Sequence, residues 1–273
     1  MFIETDRSML PELEIYASCN EVALKRYYEP EPGLFIAETP NVILRAMDAG
    51  YEALSLLIDP QLKETAASEV IERAGDVPVY LADLDIISEI SGFKQTRGVL
   101  CAMKRRKLPA LEEILKASSR IAVLENIENP TNVGAIFRSA AALGFDAVVL
   151  TRRCADPLYR RAARVSMGTV FQIPWTFVGG KHEGLYGNGL KMIREAGFQT
   201  VSMALSDRAV PIDEPALKEA EKLALFFGNE ENGLTEETLE ASDYIVKIPM
   251  MNGVDSLNVA ASSAVAFWEL RKR

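Results

Sequence analysis

The chain has 273 residues, 48% of them hydrophobic and 25% charged, the balance of a globular protein of two ordinary domains or one large one. No apolar run approaches the roughly 18 residues of a membrane span. The three cysteines, Cys19, Cys101 and Cys154, lie too far apart for a disulfide scaffold and read as reduced thiols. A net charge of −9 argues at first against a nucleic-acid partner, and a single histidine, His182, leaves no zinc-binding cluster, so no metal is expected.

The opening "MFIETDRSMLPELEIYASC" carries acids early and no long apolar stretch, so a secretory signal is not expected and the cytoplasm is the expected location. From residue 33 onward, elements alternate. "GLFIAE" (33–38) predicts a strand, and Pro40 opens a helix closed by Gly50. "EALSLLID" (52–59) predicts a second strand, and Pro60 starts a helix that ends at Gly75. "VPVYLA" (77–82) is strand, "DLDIISEISG" helix and "RGVLCAMKR" (97–105) strand, which together predict a small α/β domain over 1–104. Residues 105–119, basic at "KRRK" (104–107) and carrying one short amphipathic helix, read as a linker.

The rest, 120–273, predicts a second α/β series. Strands are expected at 121–127, 146–151, 199–204, 223–228 and 244–248, with a shorter one near "VFQIP" (170–174). Helices are expected at 131–143, 157–166, 186–196, 235–241 and 258–271. Near-continuous apolar strands suit a parallel sheet covered on both faces, and such sheets bind ligands beyond their carboxyl ends. Charge is uneven as well: residues 1–118 hold 20 acids against 13 bases, and 119–273 hold 19 against 17. Arg152, Arg153, Arg160, Arg161 and Arg164 crowd one stretch, and a local cluster of this kind can grip phosphate whatever the total charge.

Three strand-end loops stand out. In "ENPTNVGAIFR", Asn132 stands where a helix N-cap would, and Arg138, about 200° round the helix from Ile136, faces away from the buried stripe. In "FFGNEENGL", Gly228 permits a ligand to approach the backbone and Gly233 suits a positive φ, while Glu230 and Glu231 suit a cationic or zwitterionic ligand better than a pyrophosphate. In "IPMMNGVDSLNVAASSAVAFWEL", Ser256 and Asn258 open a helix whose small-residue face lets another backbone approach closely. Taken singly, these features are equally those of caps, turns and tight packing.

Their order is more specific. "NPTNVGAIFRSAAALGFDAVVL", "LALFFGNEENGL" and "IPMMNGVDSLNVAASSAVAFWEL", with "RRAARVSMGTVFQIP" between, resemble the motifs of the SpoU (TrmH-like) branch of the SPOUT RNA methyltransferases over residues 120–271. The stretch around "GLFIAETPNVILRAMDAG" is similar to the ribosomal-protein-like substrate-binding domain that many members carry. The resemblance implies a C-terminal domain with a parallel sheet and a deep trefoil knot, a homodimer with sites completed across its interface, and S-adenosylmethionine as cofactor. It assigns Leu205, Gly228, Ile248, Met250, Leu257 and Asn258 to the cofactor, and Asn132, Arg138, Glu230, Ser256 and Asn258 to the polar catalytic set. The implied reaction is methyl transfer to a ribose 2′-hydroxyl of ribosomal RNA, with transfer RNA second. A base-methylating relative and a non-catalytic RNA-binding or ribosome-assembly factor are the alternatives.

With His182 outside the motifs, Arg138 is the remaining candidate to serve the nucleophile. Arginines keep their charge at working pH, which favours stabilising an alkoxide and gripping a phosphate over acting as a literal base.

Overall fold

The computed structural model describes residues 1–5, 13–16, 33–91, 97–180 and 185–272; Cys19 and His182 lie outside the described residues. The chain divides into two compact units, Met1–Lys107 with Leu158–Phe171, and Leu108–Pro157 with Gln172–Arg273.

The first unit contains β1 (Phe2–Glu4), β2 (Leu34–Glu38), α1 (Pro40–Asp48), β3 (Ala53–Ile58), α2 (Ser68–Ala74), β4 (Val79–Leu81), α3 (Leu84–Ser91) and β5 (Val99–Lys104). Its sheet runs β1-β4-β3-β5-β2. β4 is parallel to β1 and β3, whereas β5 is antiparallel to β3 and β2. Leu34, Ile36, Leu57 and Leu100 on the strands pack with Ile87 and Ile90 of α3. The helix expected over 60–75 is broken. One 3-10 turn, Pro60–Leu62, is capped by Asp59, and the Thr65 and Ser68 hydroxyls bond back to the carbonyls of Leu62 and Thr65. Such local bonds compete with a continuing helix.

Thr39 joins β2 to α1 with φ 82° and ψ 143°, a region that L-residues with branched side chains avoid. Backbone bonds hold it there: its N–H donates to Val99 at 3.0 Å and its carbonyl accepts from Ile43 at 3.0 Å. Strain of this kind costs about 1–3 kcal/mol. Thr39→Gly is therefore expected to stabilise the protein by about 1 kcal/mol after glycine's extra entropy cost, read as a rise in thermal midpoint. A fall would show that the Thr39 side chain contributes more than its backbone costs.

In the second unit come α4 (Leu111–Ala117), β6 (Arg120–Leu124), α5 (Pro130–Ala142) and β7 (Ala147–Thr151). The chain then supplies α6 (Arg160–Val165) to the first unit. The second unit resumes with β8 (Trp175–Val178), α7 (Gly189–Glu195), β9 (Gln199–Met203), β10 (Val210–Pro211), α8 (Pro215–Glu219), β11 (Leu223–Phe227), α9 (Glu236–Ala241), β12 (Tyr244–Lys247) and α10 (Val259–Leu270). Its seven strands run β10-β12-β9-β11-β6-β7-β8, all parallel. Ile121, Val123, Val149 and Phe226 form one buried face with Leu111, Ile114 and Leu115 of α4. Phe227 packs on Phe267, which packs on Phe145, and α10 lies against α5.

Some expectations shift here. The short strand near 170–174 is instead a 3-10 turn, Thr169–Phe171, and the strand begins one residue after Pro174. Proline cannot donate to the ladder. The helix expected inside the 105–119 linker buries Leu111, Ile114 and Leu115 in the second unit's core. Residues Leu158–Phe171 group with the first unit rather than with 120–273. The reason is the buried Glu38 carboxylate, which lies 3.0 Å from Arg164 and 3.9 Å from Arg160. Arg45 reinforces this through the Met167 carbonyl at 2.5 Å.

Arg120 fixes the foot of the second sheet. Its buried guanidinium donates to the carbonyls of Leu270 (3.1 Å), Glu221 (3.0 Å) and Ala220 (2.7 Å), so the end of α10 is tied to β6 and β11. Cys101 and Cys154 are free and buried. Burial pushes the Cys154 thiol up to about 11 and Cys101 higher still, leaving both as inert core groups. No described helix is long and apolar enough to cross a membrane.

Candidate active site

The parallel sheet places its loops where ligands of such sheets bind. A cavity of about 630 Å³ opens beyond the carboxyl ends of β9, β11 and β12. Leu205 follows β9, Gly228 and Glu230 follow β11, and Ile248 and Met250 follow β12. Ser256, Leu257 and Asn258 complete the wall at the head of α10. Residues spread over more than fifty positions of chain thus surround one space. Its wall combines apolar residues with the acidic Glu230 and Asp255 and the basic Lys247.

Local chemistry shapes that wall. Asn258 caps α10, its Oδ1 accepting from the Ala260 N–H at 3.0 Å. α5 is capped by Asn129, whose Oδ1 accepts from the Thr131 N–H at 2.9 Å, so the cap expected at Asn132 stands three residues earlier. Pro130 occupies the first helical position, which makes its predecessor the cap. Asn132 is buried in the first turn and freed for another task. Its amide donates to Glu230, and its Oδ1 accepts from Asn258 Nδ2 at 3.3 Å. One side chain from each of the three motifs therefore meets in a single hydrogen-bonded chain.

The loop itself requires Gly228. A Cβ there would lie 2.3 Å from the Gly233 carbonyl carbon and 2.4 Å from the Leu234 nitrogen. The loop folds back on itself, with Asn229 and Gly233 exchanging backbone bonds of 3.1 and 2.8 Å, and Gly233 takes the expected positive φ of 67°. Of the acidic pair, only Glu230 lines the cavity; Glu231 is exposed and binds Asn229 Oδ1 through its N–H at 2.8 Å.

Arg138 does not join this group. It is exposed on α5 and absent from the cavity wall. Six residues separate it from Asn132, about 9 Å along a helix axis. The other arginines divide. Arg152 lies over the Phe177 ring at 5.4 Å, Arg153 pairs with Glu128 at 3.0 Å, and both are exposed, as is Arg161. Arg160 is buried against Glu38 and the Ser91 carbonyl, which withdraws it from any phosphate-gripping surface, and Arg164 shares Glu38 while staying partly exposed. The need of a buried carboxylate for cations accounts for both.

One group escaped sequence reasoning. Glu125, at the end of β6, is fully buried and takes hydrogen bonds from Tyr186, Thr238 and the backbone of Thr235. The available signal was a lone carboxylate closing the apolar run "IAVLE". Among the described residues, no group of three or more His, Cys, Asp or Glu could hold a metal ion.

Comparison with known proteins decides the family. The SpoU rRNA Methylase family model matches residues 119–268, which include the whole cavity wall. An uncharacterized tRNA/rRNA methyltransferase of Mycobacterium bovis is 36% identical over 261 residues, 95% of this chain and 88% of its own. The chain belongs to the SpoU rRNA methylase family. Another relative of this SpoU protein, a 23S rRNA (adenosine(1067)-2′-O)-methyltransferase of Streptomyces azureus, is 30% identical over 207 residues, 74% of this chain and 73% of its own. The fold of this chain matches that of an AdoMet-bound rRNA methyltransferase from Sinorhizobium meliloti with a TM-score of 0.81, at 24% identity, over 98% of this chain and 97% of that one.

Proposed function

We propose that this SpoU protein transfers a methyl group from S-adenosylmethionine to a ribose 2′-hydroxyl of RNA, ribosomal RNA first and transfer RNA second. The observation that carries the reading is the convergence of Leu205, Gly228, Glu230, Ile248, Met250 and Leu257 on one cavity of about 630 Å³. That volume lies within the range of small-molecule sites, about 300–1,000 Å³. The wall also fits the donor's chemistry. Leu205, Ile248, Met250 and Leu257 offer apolar surface to a purine, and the Glu230 carboxylate suits a neighbouring sulfonium.

When bound, S-adenosylmethionine supplies an electrophilic methyl group whose sulfur leaves as a neutral thioether. Asn132 holds Glu230 and Asn258 in register, so the polar edge of the cavity is set before substrate arrives. Ser256 presents a hydroxyl to the incoming ribose. Arg138 serves the nucleophile by stabilising the oxygen as it loses its proton to solvent and by gripping the adjacent phosphate. Because Arg138 stands outside its own chain's cavity, the reading requires a homodimer in which one chain's arginine reaches the other's donor. Exposed Met251, Val254, Val265 and Trp268, outside the cavity wall, offer apolar side chains for that pairing. Arg152, Arg153, Arg161 and the exposed part of Arg164 grip RNA backbone, the first unit adds RNA contacts, and the C-terminal segments adopt the family's trefoil knot. The enzyme works in the cytoplasm.

The test uses labelled S-adenosylmethionine and total RNA, followed by alkaline hydrolysis. Alkali cleaves through the free 2′-hydroxyl, so ribose methylation is expected to leave label in alkali-resistant dinucleotides. Label recovered only in mononucleotide bases would make the protein a base methylase. Absence of donor binding by a folded protein would favour the non-catalytic RNA-binding factor.

A further inference from the structure

Glu125 is a carboxylate with no exposure to solvent, placed one residue past the buried strand β6. Burying such a group is costly, and a leucine of similar volume would serve the core better unless the carboxylate does something else. Its surroundings show what it holds. Oε1 accepts the Thr235 N–H at 2.7 Å, and Oε2 accepts the Tyr186 hydroxyl and the Thr238 hydroxyl, each at 2.5 Å. Burial, and then the neighbouring carboxylate, push the Tyr186 phenol far above its ordinary range, so it remains a donor.

Thr235 is the residue directly after Leu234, where the cavity loop ends. The loop's other end is held by the very next residue of the chain. Asn126 sits at φ 55°, and its carbonyl accepts from Asn229 Nδ2 at 3.0 Å. Its side chain is fixed in turn by the Thr151 hydroxyl at 3.1 Å. Two consecutive residues, Asn126 and Glu125, therefore clamp the front and the back of the segment 228–234.

We propose that Glu125 is a positioning residue for methyl-donor binding, its carboxylate setting the curvature of the 228–234 loop through Thr235 without touching the donor. The inference rests on reading the cavity as the donor site. A loop no longer held in shape must be ordered when the donor binds, and that cost falls on donor affinity.

The experiment titrates S-adenosylmethionine into wild type, Glu125→Gln and Glu125→Leu by calorimetry, with donor KM and kcat measured alongside. Glu125→Leu, shown folded by circular dichroism, is expected to raise donor Kd and KM about tenfold or more, with kcat at saturating donor within about threefold of wild type. Glu125→Gln, whose carbonyl can still accept from Thr235, is expected to restore Kd to within about threefold. Unchanged affinity in folded Glu125→Leu, or a loss confined to kcat, overturns the inference. If Glu125→Leu does not fold, Tyr186→Phe is read in its place, with a rise in donor Kd of about threefold expected and an unchanged Kd overturning. Failure of wild type to bind S-adenosylmethionine would instead remove the reading of the cavity itself.

Discussion

Arg138→Ala is expected to bind S-adenosylmethionine as wild type does while its rate of methyl transfer falls by about 10²–10³-fold, the cost of removing one preorganised group that stabilises a developing oxyanion. The two halves of that expectation have separate grounds. The side chain is exposed on α5 and contributes nothing to the wall of its own chain's cavity, so the cavity that would hold the donor is intact without it. The polar chain of Asn132, Glu230 and Asn258 contains no cation, and Arg138 is the cation the first motif supplies. Mixing Arg138→Ala with a chain that lacks donor binding sharpens the test. If the arginine acts across a dimer, some activity returns in the mixed species; if turnover by Arg138→Ala alone matches wild type, the role assigned here is wrong.

Gly228→Ala is expected to have the opposite signature, loss of donor binding. The added Cβ would meet Gly233 and Leu234 backbone atoms at 2.3–2.4 Å, and backbone cannot swing aside as a flexible side chain can. Relief requires opening the Asn229–Gly233 bridge, which reshapes the part of the loop that carries Glu230. Overpacking of this kind costs about 1–3 kcal/mol and sometimes more. Donor Kd is expected to rise by at least about tenfold, with a lowered thermal midpoint, and RNA affinity measured by filter binding should change far less. A variant that binds donor normally would mean that the loop tolerates opening and does not shape the site.

The strand-end loops were legible because each lies next to an apolar run that could only be a buried strand, and because the three motifs come in a recognisable order. Residue roles inside them were less legible. Asn129 and Asn132 flank the helix start three residues apart, both able to cap it, and the proline between them is what makes Asn129 the cap. The five arginines read in sequence as one phosphate-gripping cluster, yet Arg160 answers a carboxylate at Glu38, more than a hundred positions away. Gly228 reads in sequence as room for a ligand, and its own loop also demands a glycine there, through backbone that only the folded chain brings near. In sequence Glu125 is one carboxylate inside the strand expected at 121–127, and only the arrival of Tyr186, Thr235 and Thr238 from distant parts of the chain gives it a purpose. Periodicity reports which face a residue occupies; it carries no information on which distant partner completes its hydrogen bonds.

The most direct measurement is a crystal structure of the protein with S-adenosylmethionine bound. The donor is expected in the cavity after β9, β11 and β12, its adenosine against Gly228, Ile248 and Leu257 and its methyl towards the Asn132–Glu230 edge, with an Arg138 guanidinium of the assembly within a few ångströms. A donor held elsewhere, or a cavity edge that no Arg138 of the assembly approaches, would contradict it.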